Sequence, residues 1–397
     1  MKVHRPQSEI IVKCLRDIFE NKYLADKVVN IQLKSQKQMG ARDRRFVAES
    51  VYEVVRWWRL LKHVAENSGF DKKNPWIWYG VYLVKSGFEL PNWREFEVLK
   101  GFTFPNESVV GSFPFAVRES IPDWMDELGR KEVGERWGRV VEALNKPADV
   151  VLRVNQLKTT PSELIPALLS EGVEVKPIDG DALLLLTRKN LFTTVAYQAG
   201  LFEIQDWSSQ QIVPFLGVKP GERVIDACAG AGGKTLHMAA MMKNKGRIVA
   251  MDIYEKKLEE LRRRKNRAGV DIVETKTIET KTIKRLAESA DRLLLDVPCS
   301  GLGVLRRKPD SKWKLALKKI SELNGLQREI VFEYSAMVKK GGTLVYSTCS
   351  ILPSENGDIV KDFVAKTSLG FKLMEEKTLL PDDTGFDGFY MAKFVRE

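Results

Sequence analysis

Cysteine and histidine are scarce in this chain of 397 residues, which has 4 cysteines and 3 histidines. The cysteines, Cys14, Cys228, Cys299 and Cys349, lie far apart in the sequence. Their spacing argues against a disulfide framework and against a Cys-x-x-Cys zinc site. With so few histidines, we expect neither a histidine-based metal site nor a catalytic triad. The sequence therefore predicts a protein without metal whose thiols are free, as in a reducing compartment.

Long apolar runs are also missing. The densest run is Ala182 to Leu186, far shorter than the ~20 residues that a helix needs to cross a bilayer. The N-terminal residues do not open into the apolar core of a signal peptide. We therefore expect a cytoplasmic protein that does not contact a membrane.

Acidic residues are outnumbered, with 53 Asp and Glu against 64 Lys and Arg and a net charge of +11. This surplus favours a polyanionic partner such as a nucleic acid, although ordinary lysine-rich solubility explains it equally well. Apolar residues make up 44% and charged residues 29%, which is typical of a globular protein. The length predicts about two to three domains.

Three regions differ in pattern. Residues 1–145 have helical periodicity, and a basic segment over 42–67 contains Arg42, Arg44 and Arg45. Residues 146–205 indicate a small α+β module with strands over 150–155, 173–175 and 182–186, and with Ser162 as the N-cap of a helix. Residues 206–397 alternate between strand and helix.

The alternating region predicts strands over 223–226, 247–251, 292–295 and 343–346, and helices over 235–242, 255–268 and 320–338. Alternation of this kind predicts an α/β Rossmann-like domain with a mostly parallel sheet. Ligands of such sheets bind outside the carboxyl ends of the strands. The loops that leave those ends are therefore the candidate functional segments.

The first of these loops, from Asp226 to Thr235, is rich in glycine, which lets the backbone turn sharply near a ligand. Its Gly-Lys-Thr ending resembles a phosphate-binding loop, but Cys228 stands where that motif needs glycine. Asp252 ends the second strand and could bond ribose hydroxyls or cap the next helix. Together these features favour an adenosine-type cofactor, while a purely structural turn remains open.

Two later loops each place a cysteine beside serine, Cys299-Ser300 and Cys349-Ser350. Either cysteine alone is more typical of a small buried apolar residue. A thiolate nucleophile would need access and a positively charged setting. The basic run after Arg306 could supply that setting, bind nucleic-acid phosphates, or be an exposed helix face.

These loops resemble the Nop/Sun family of RNA cytosine-C5 methyltransferases, in particular the bacterial small-subunit ribosomal RNA type. The matching segments are 152–155, 205–210, 226–234, 296–301, 306–310 with Trp313, 341–350, 353–356 and 387–392. The resemblance thus covers about residues 147–397. Residues 42–67 resemble part of a NusB-like helical RNA-binding domain.

The resemblance implies a set of roles. Cys349 would be the nucleophile that attacks carbon 6 of cytosine, Cys299 would assist product release, and Asp296 and Lys234 would lie at the reacting groups. S-adenosylmethionine would be the cofactor, held by Cys228, Ala229, Gly230, Ala231, Gly232, Gly233, Lys234, Asp252 and Asp296. RNA would contact Arg153, Asn155, Arg306, Arg307, Lys308, Arg42, Arg44 and Arg45.

The chain departs from the family pattern at two places. Gly230-Ala231 replaces the usual Ala-Pro, which leaves the turn more flexible. The stretch 274–279 lacks the usual Asp after the third strand, where Glu279 is the possible substitute.

The sequence predicts three domains, a NusB-like region over 1–145, an RNA-binding module over 146–205, and a methyltransferase domain over 206–397. We expect a monomer that methylates ribosomal RNA, with 16S as the substrate. The alternatives are a methyltransferase that acts on transfer RNA or on DNA, and a non-catalytic RNA-binding ribosome assembly factor.

Overall fold

The computed structural model of the protein describes residues 3–187 and 189–397, which fall into two compact units. The first unit comprises Met1–Lys146 and Leu305–Leu317. The second comprises Pro147–Val304 and Lys318–Glu397. The segment Leu305–Leu317, which the sequence places in the C-terminal domain, therefore packs with the N-terminal helices instead.

The N-terminal part of the first unit is helical, as its periodicity predicts. Its helices are α1 (Arg5–Phe19), α2 (Ala25–Ser35), α3 (Ala41–Arg56), α4 (Trp58–Asn67), α5 (Pro75–Lys85), α6 (Glu107–Gly111), α7 (Phe115–Arg118), α8 (Asp123–Val133) and α9 (Trp137–Leu144), with 3-10 turns at Arg94–Leu99 and Gly134–Arg136. Within the described residues, no helix of the protein combines the length and the apolar character of a membrane span.

The predicted helix over 42–67 is two helices in the structure. Helix α3 ends at Arg56, because Trp57 leaves the helical conformation at φ −102° and ψ 14°. Helix α4 then begins at Trp58, whose ring stacks on Phe19 with centroids 4.2 Å apart. The apolar side chains of both helices continue the same period, so the sequence did not reveal the break.

The second unit begins with a small module of strands and helices. It comprises β1 (Val151–Val154), α10 (Pro161–Ser170), β2 (Val175–Asp179), β3 (Ala182–Leu185), α11 (Val195–Gln198) and β4 (Phe202–Ile204), with a 3-10 turn at Leu191–Thr193. Its antiparallel sheet has the order β2-β3-β1-β4. Thr160, rather than the predicted Ser162, caps α10 through a capping box with Glu163.

The rest of this unit alternates as predicted and has its own large sheet. It comprises α12 (Trp207–Gln210), α13 (Ile212–Leu216), β5 (Arg223–Asp226), α14 (Gly233–Met241), β6 (Arg247–Asp252), α15 (Glu255–Ala268), β7 (Val273–Thr277), α16 (Thr282–Arg285), β8 (Ala290–Asp296), α18 (Leu317–Tyr334), β9 (Val338–Thr348), α19 (Gly357–Lys366), β10 (Phe371–Leu379), α20 (Pro381–Thr384) and β11 (Phe389–Arg396). Helix α17 (Ser311–Lys314) lies in the segment that belongs to the first unit. Further 3-10 turns cover Leu302–Val304, Ser335–Met337 and Pro353–Glu355.

Among the described residues, the large sheet has seven strands in the order β10-β11-β9-β8-β5-β6-β7. Strands β9 to β7 of that order are parallel, and β10 and β11 add an antiparallel edge. Apolar side chains from both faces of the sheet are buried, including Val224, Ile225 and Leu294. The predicted mostly parallel Rossmann-like sheet is therefore confirmed.

The segment Leu305–Leu317, which looks basic and solvent-exposed in the sequence, packs within the first unit through several of its side chains. Trp313 Nε1 donates to the carbonyl of Val55 at 2.7 Å, and the Asp310 carboxylate accepts from Ala25 N at the start of α2 at 3.0 Å. Lys312 is only 1% exposed, and its Nζ donates to the carbonyl of Ser120 at 3.1 Å. Of the alternatives considered for the run after Arg306, the exposed basic helix is therefore wrong for this segment.

Lys312 is expected to make the stability of the first unit depend on pH. Burial, followed by the nearby Arg56 guanidinium, lowers the pKa of Lys312 from 10.5 to about 7. Between these values the unfolded chain binds more protons than the folded chain, so the free energy of unfolding rises with pH. We expect a rise of about 1 kcal/mol per pH unit above pH 7.5 that Lys312→Met removes.

Urea denaturation followed by tryptophan fluorescence measures this effect, because Trp207 is the one tryptophan in the sequence of the second unit. Lys308→Met is the matched control, since Lys308 is exposed in the same segment. Equal pH slopes for the wild type and Lys312→Met would contradict the prediction.

Candidate active site

The predicted loops meet at one edge of the large sheet. Strands β9, β8, β5 and β6 are consecutive parallel neighbours, so their carboxyl ends share an edge. Asp296, at the end of β8, is in register with Ser347 near the end of β9. The glycine-rich loop follows β5, and Asp252 ends β6. The structure therefore brings the four loops together.

The two cysteines of this edge face each other. Cys299 Sγ lies 3.3 Å from Cys349 Sγ, and both side chains are partly exposed. The hydrogen bond with Cys349, followed by burial, holds the pKa of the Cys299 thiol well above its ordinary value. Cys299 therefore keeps its proton. Cys349, the other sulfur of the pair, directly follows β9.

A lysine–aspartate pair adjoins the thiols. Lys234, on α14, donates from Nζ to Asp296 Oδ2 at 2.6 Å, and Ser347 Oγ donates to Asp296 Oδ1 at 3.0 Å. Burial would lower the pKa of Lys234, but the Asp296 carboxylate, and more weakly Cys349, outweigh burial and raise it. The cation near Cys349 is thus Lys234, whereas the sequence offers the basic run after Arg306 as a source of positive charge.

The glycine-rich loop is shaped for close approach. Gly230 and Gly232 have φ values of 56° and 86°, a region in which side chains are strained. A Cβ on Gly232 would also lie 2.5 Å from Leu261 Cγ. Helix α14 begins directly after Gly232, so its first N–H groups lie at the turn.

Asp252 links the glycine-rich loop to the end of β6 by a hydrogen bond. Its carboxylate is 6% exposed and accepts from Gly230 N at 3.0 Å and from Tyr254 N at 2.9 Å. The sequence did not indicate the bond to Gly230. The predicted contact between Asp252 and the ribose hydroxyls of the cofactor stays a prediction. Glu279 is exposed, two residues past the end of β7, and β7 pairs with β6.

Asp226 is a site residue that the sequence reasoning did not single out. Its Oδ2 accepts from Thr235 Oγ1 at 2.7 Å, while its Oδ1 is buried without a hydrogen-bond partner among the described residues. Burial and the Asp296 carboxylate raise the pKa of Asp226 to about 7. The sequence signal that could have identified Asp226 is an acidic residue at the end of an apolar strand.

Cys228, two residues further on, is also affected by burial. Burial raises the pKa of the Cys228 thiol, so Cys228 is neutral.

Two residues expected to bind RNA are buried inside the second unit. Arg153 is 3% exposed, and its Nη1 donates to the carbonyl of Gly233 at 2.7 Å. Asn155 is 6% exposed, and its Nδ2 donates to the carbonyls of Gly200 and Ala268 at 2.8 and 2.9 Å. These contacts join the small module to the glycine-rich loop and to the end of α15. The RNA-binding assignment is corrected, because neither side chain is open to a large ligand.

The other predicted RNA-binding residues divide into buried and exposed groups. Arg306 is buried and donates to the carbonyl of Lys146 at 3.4 Å, while Arg307 is half-buried. The Arg44 guanidinium donates to the carbonyl of Leu33 in the last turn of α2 and to those of Gln36 and Met39 just after it. Arg306 and Arg44 therefore support the fold of the first unit. The residues that remain exposed are Arg42, Arg45 and Lys308.

Comparison with known proteins agrees with this geometry. Residues 213–395 match the family model "16S rRNA methyltransferase RsmB/F", and residues 121–191 match that of an RsmF/B-like ferredoxin-like domain. The crystal structure of PH0851 has a TM-score of 0.84 at 24% identity over 100% of both chains. A methyltransferase homolog from Pyrococcus horikoshii has a TM-score of 0.64 at 29% identity, covering 74% of this chain and 100% of its own.

The fold and site define an S-adenosylmethionine-dependent methyltransferase. Among curated relatives, the probable ribosomal RNA small subunit methyltransferase B of Bacillus subtilis is 35% identical over 71% of this chain and 68% of its own. The Pasteurella multocida enzyme named ribosomal RNA small subunit methyltransferase B is 36% identical over 68% of this chain and 64% of its own. The chain belongs to the RsmB/F family of 16S rRNA methyltransferases, which confirms the resemblance.

Proposed function

We propose that this protein methylates carbon 5 of a cytosine in 16S ribosomal RNA through a covalent bond between Cys349 and carbon 6. The observation that carries the proposal is the Cys299–Cys349 pair, with its Sγ atoms 3.3 Å apart at the ends of β8 and β9. The names of the curated relatives support ribosomal RNA as the substrate class.

The chemistry explains the use of a thiolate. Carbon 5 of cytosine is a poor nucleophile. When the Cys349 thiolate forms a bond to carbon 6, the ring gains an enamine-like carbon 5 that can accept a methyl group. A base then removes the carbon-5 proton, the bond from carbon 6 to sulfur breaks, and the electron pair returns to Cys349 as the double bond is restored.

The side chains around Cys349 assist both the attack on carbon 6 and the later release of the sulfur. The Lys234 ammonium stabilises the thiolate electrostatically, before attack and again on release. The Cys299 thiol donates a hydrogen bond to the departing sulfur, which makes Cys349 a better leaving group. The Asp296 carboxylate is 27% exposed as a side chain, so it can accept a hydrogen bond from the exocyclic amino group of cytosine and orient the base for the addition.

The glycine-rich loop and its acidic neighbours fit S-adenosylmethionine. The cofactor supplies an electrophilic methyl group, and its methionine part carries a positively charged α-ammonium group. Asp226 offers a buried carboxylate oxygen without a protein partner among the described residues, which suits that cation. We propose that residues Cys228 to Lys234, with Asp252 and Asp296, hold the rest of the cofactor.

Transfer of a tritiated methyl group tests the function. The enzyme is incubated with tritiated S-adenosylmethionine and small-subunit RNA from a strain that lacks the gene, and the nucleosides are separated. We expect the label in 5-methylcytidine. Label in another nucleoside would overturn the proposal. No label despite measured cofactor binding would overturn naked 16S RNA as substrate and lead to transfer RNA or assembled particles.

A further inference from the structure

The strongest unassigned feature is a buried carboxylate between the two cysteine loops. Glu355 is 0% exposed and lies in the 3-10 turn Pro353–Glu355 that follows the Cys349 loop. Its Oε1 accepts from Ser300 N at 2.8 Å. Its Oε2 accepts from both Ser300 Oγ and Ser350 Oγ. The residues after the two cysteines therefore share one carboxylate oxygen.

A glutamine completes the arrangement. Gln327, on α18, is also 0% exposed, and its Nε2 donates to Glu355 Oε1 and to the carbonyl of Pro298, each at 3.0 Å. The residues on both sides of Cys299 are thereby held by the hydrogen-bonded pair of Glu355 and Gln327. Buried charges are costly unless hydrogen bonds satisfy them, and here four donors do so.

From these contacts we propose that Glu355 is a positioning residue that holds the Cys299 and Cys349 loops at the separation their sulfurs need. Glu355 touches neither sulfur in a hydrogen bond and acts through the serine beside each one. Its negative charge also contributes to keeping the Cys299 pKa high, which suits a thiol that must remain a donor. The catalytic consequence rests on the proposed function, whereas the geometric consequence does not.

A trivalent arsenical tests the geometry without any methyl transfer. Phenylarsine oxide takes two thiols and releases water, forming one arsenic–sulfur bond to each cysteine. The second bond forms efficiently only if the sulfurs are held close together. We expect the wild type to bind one equivalent at the site and Glu355→Gln to bind about tenfold more weakly. In this variant the glutamine amide group places an NH2 donor where Glu355 has an acceptor oxygen. The amide group therefore cannot accept all the hydrogen bonds that Ser300 and Ser350 donate to the carboxylate.

The controls separate positioning from general damage. Glu329→Gln removes a charge from an exposed position of α18 and should bind the arsenical like the wild type. Cys349→Ala should lose bidentate binding. Thermal denaturation and cofactor binding check the fold. If Glu355→Gln does not fold, the double variant Ser300→Ala with Ser350→Ala removes the two hydroxyl bonds to Glu355 Oε2 and decides the question.

The kinetic test uses the same variants. We expect Glu355→Gln to lower kcat by about 10²-fold, the typical cost of misplacing reacting groups, with KM for RNA nearly unchanged and partial rescue by Glu355→Asp. Wild-type arsenical affinity in Glu355→Gln would overturn the positioning role, whatever the methylation assay shows. Weakened arsenical binding with an unchanged kcat would overturn its catalytic consequence. Failure of the wild type to methylate RNA would overturn the proposed function alone.

Discussion

Replacing Cys349 with alanine is expected to lower the methylation rate by at least ~10⁴-fold, the scale seen when a catalytic nucleophile is removed. The variant cannot form the bond to carbon 6, so carbon 5 of cytosine is never made nucleophilic. Cofactor binding should be unchanged, because the bond from Gly230 N to the Asp252 carboxylate, which holds the glycine-rich loop, does not involve Cys349. Single-turnover methyl transfer and isothermal titration measure the two quantities.

Cys14→Ala is the matched control for Cys349→Ala. Cys14 is a buried cysteine of α1 in the first unit, and its removal should leave the rate of methyl transfer intact. Near-normal turnover in Cys349→Ala would remove the covalent mechanism. Loss of cofactor binding in this variant would show that the site had been disturbed as a whole.

Replacing Cys299 with alanine is expected to trap the covalent protein–RNA complex. The substitution removes the thiol whose hydrogen bond helps Cys349 leave, while attack and methyl transfer proceed through Cys349. Turnover should fall by about 10²-fold or more, which is typical for the loss of an acid–base group. Denaturing gel electrophoresis with labelled RNA should show a slowly migrating band that contains both molecules.

The double variant Cys299→Ala with Cys349→Ala controls this experiment, since it has no sulfur with which to form the bond. Its lane should lack the band. Absence of the band from Cys299→Ala itself, under conditions in which the wild type methylates RNA, would reverse or remove the roles given to the two thiols.

Much of the second unit could be predicted because its signals are local. The strand over 223–226 and the helix over 255–268 have the bounds that the sequence predicts, and Gly269 ends the helix in the left-handed conformation. The antiparallel strands β10 and β11 were not predicted. Strand β10 is mostly exposed, with charged residues such as Lys372, Glu375 and Glu376, so it lacks the apolar alternation of a half-buried strand.

The local sequence is enough to bring the residues of the candidate site together. A parallel sheet collects the ends of its strands at one edge, so Asp252, Asp296, Cys299 and Cys349 could be assigned to one place before their distances were known. Which polar side chains are buried, in contrast, follows from the packing of the whole chain. Three of them, Arg153, Lys312 and Glu355, look like ordinary charged residues in the sequence. Packing against distant segments buries each one and gives it backbone partners. Burial depends on contacts between residues far apart in the chain, and a local pattern does not contain that information.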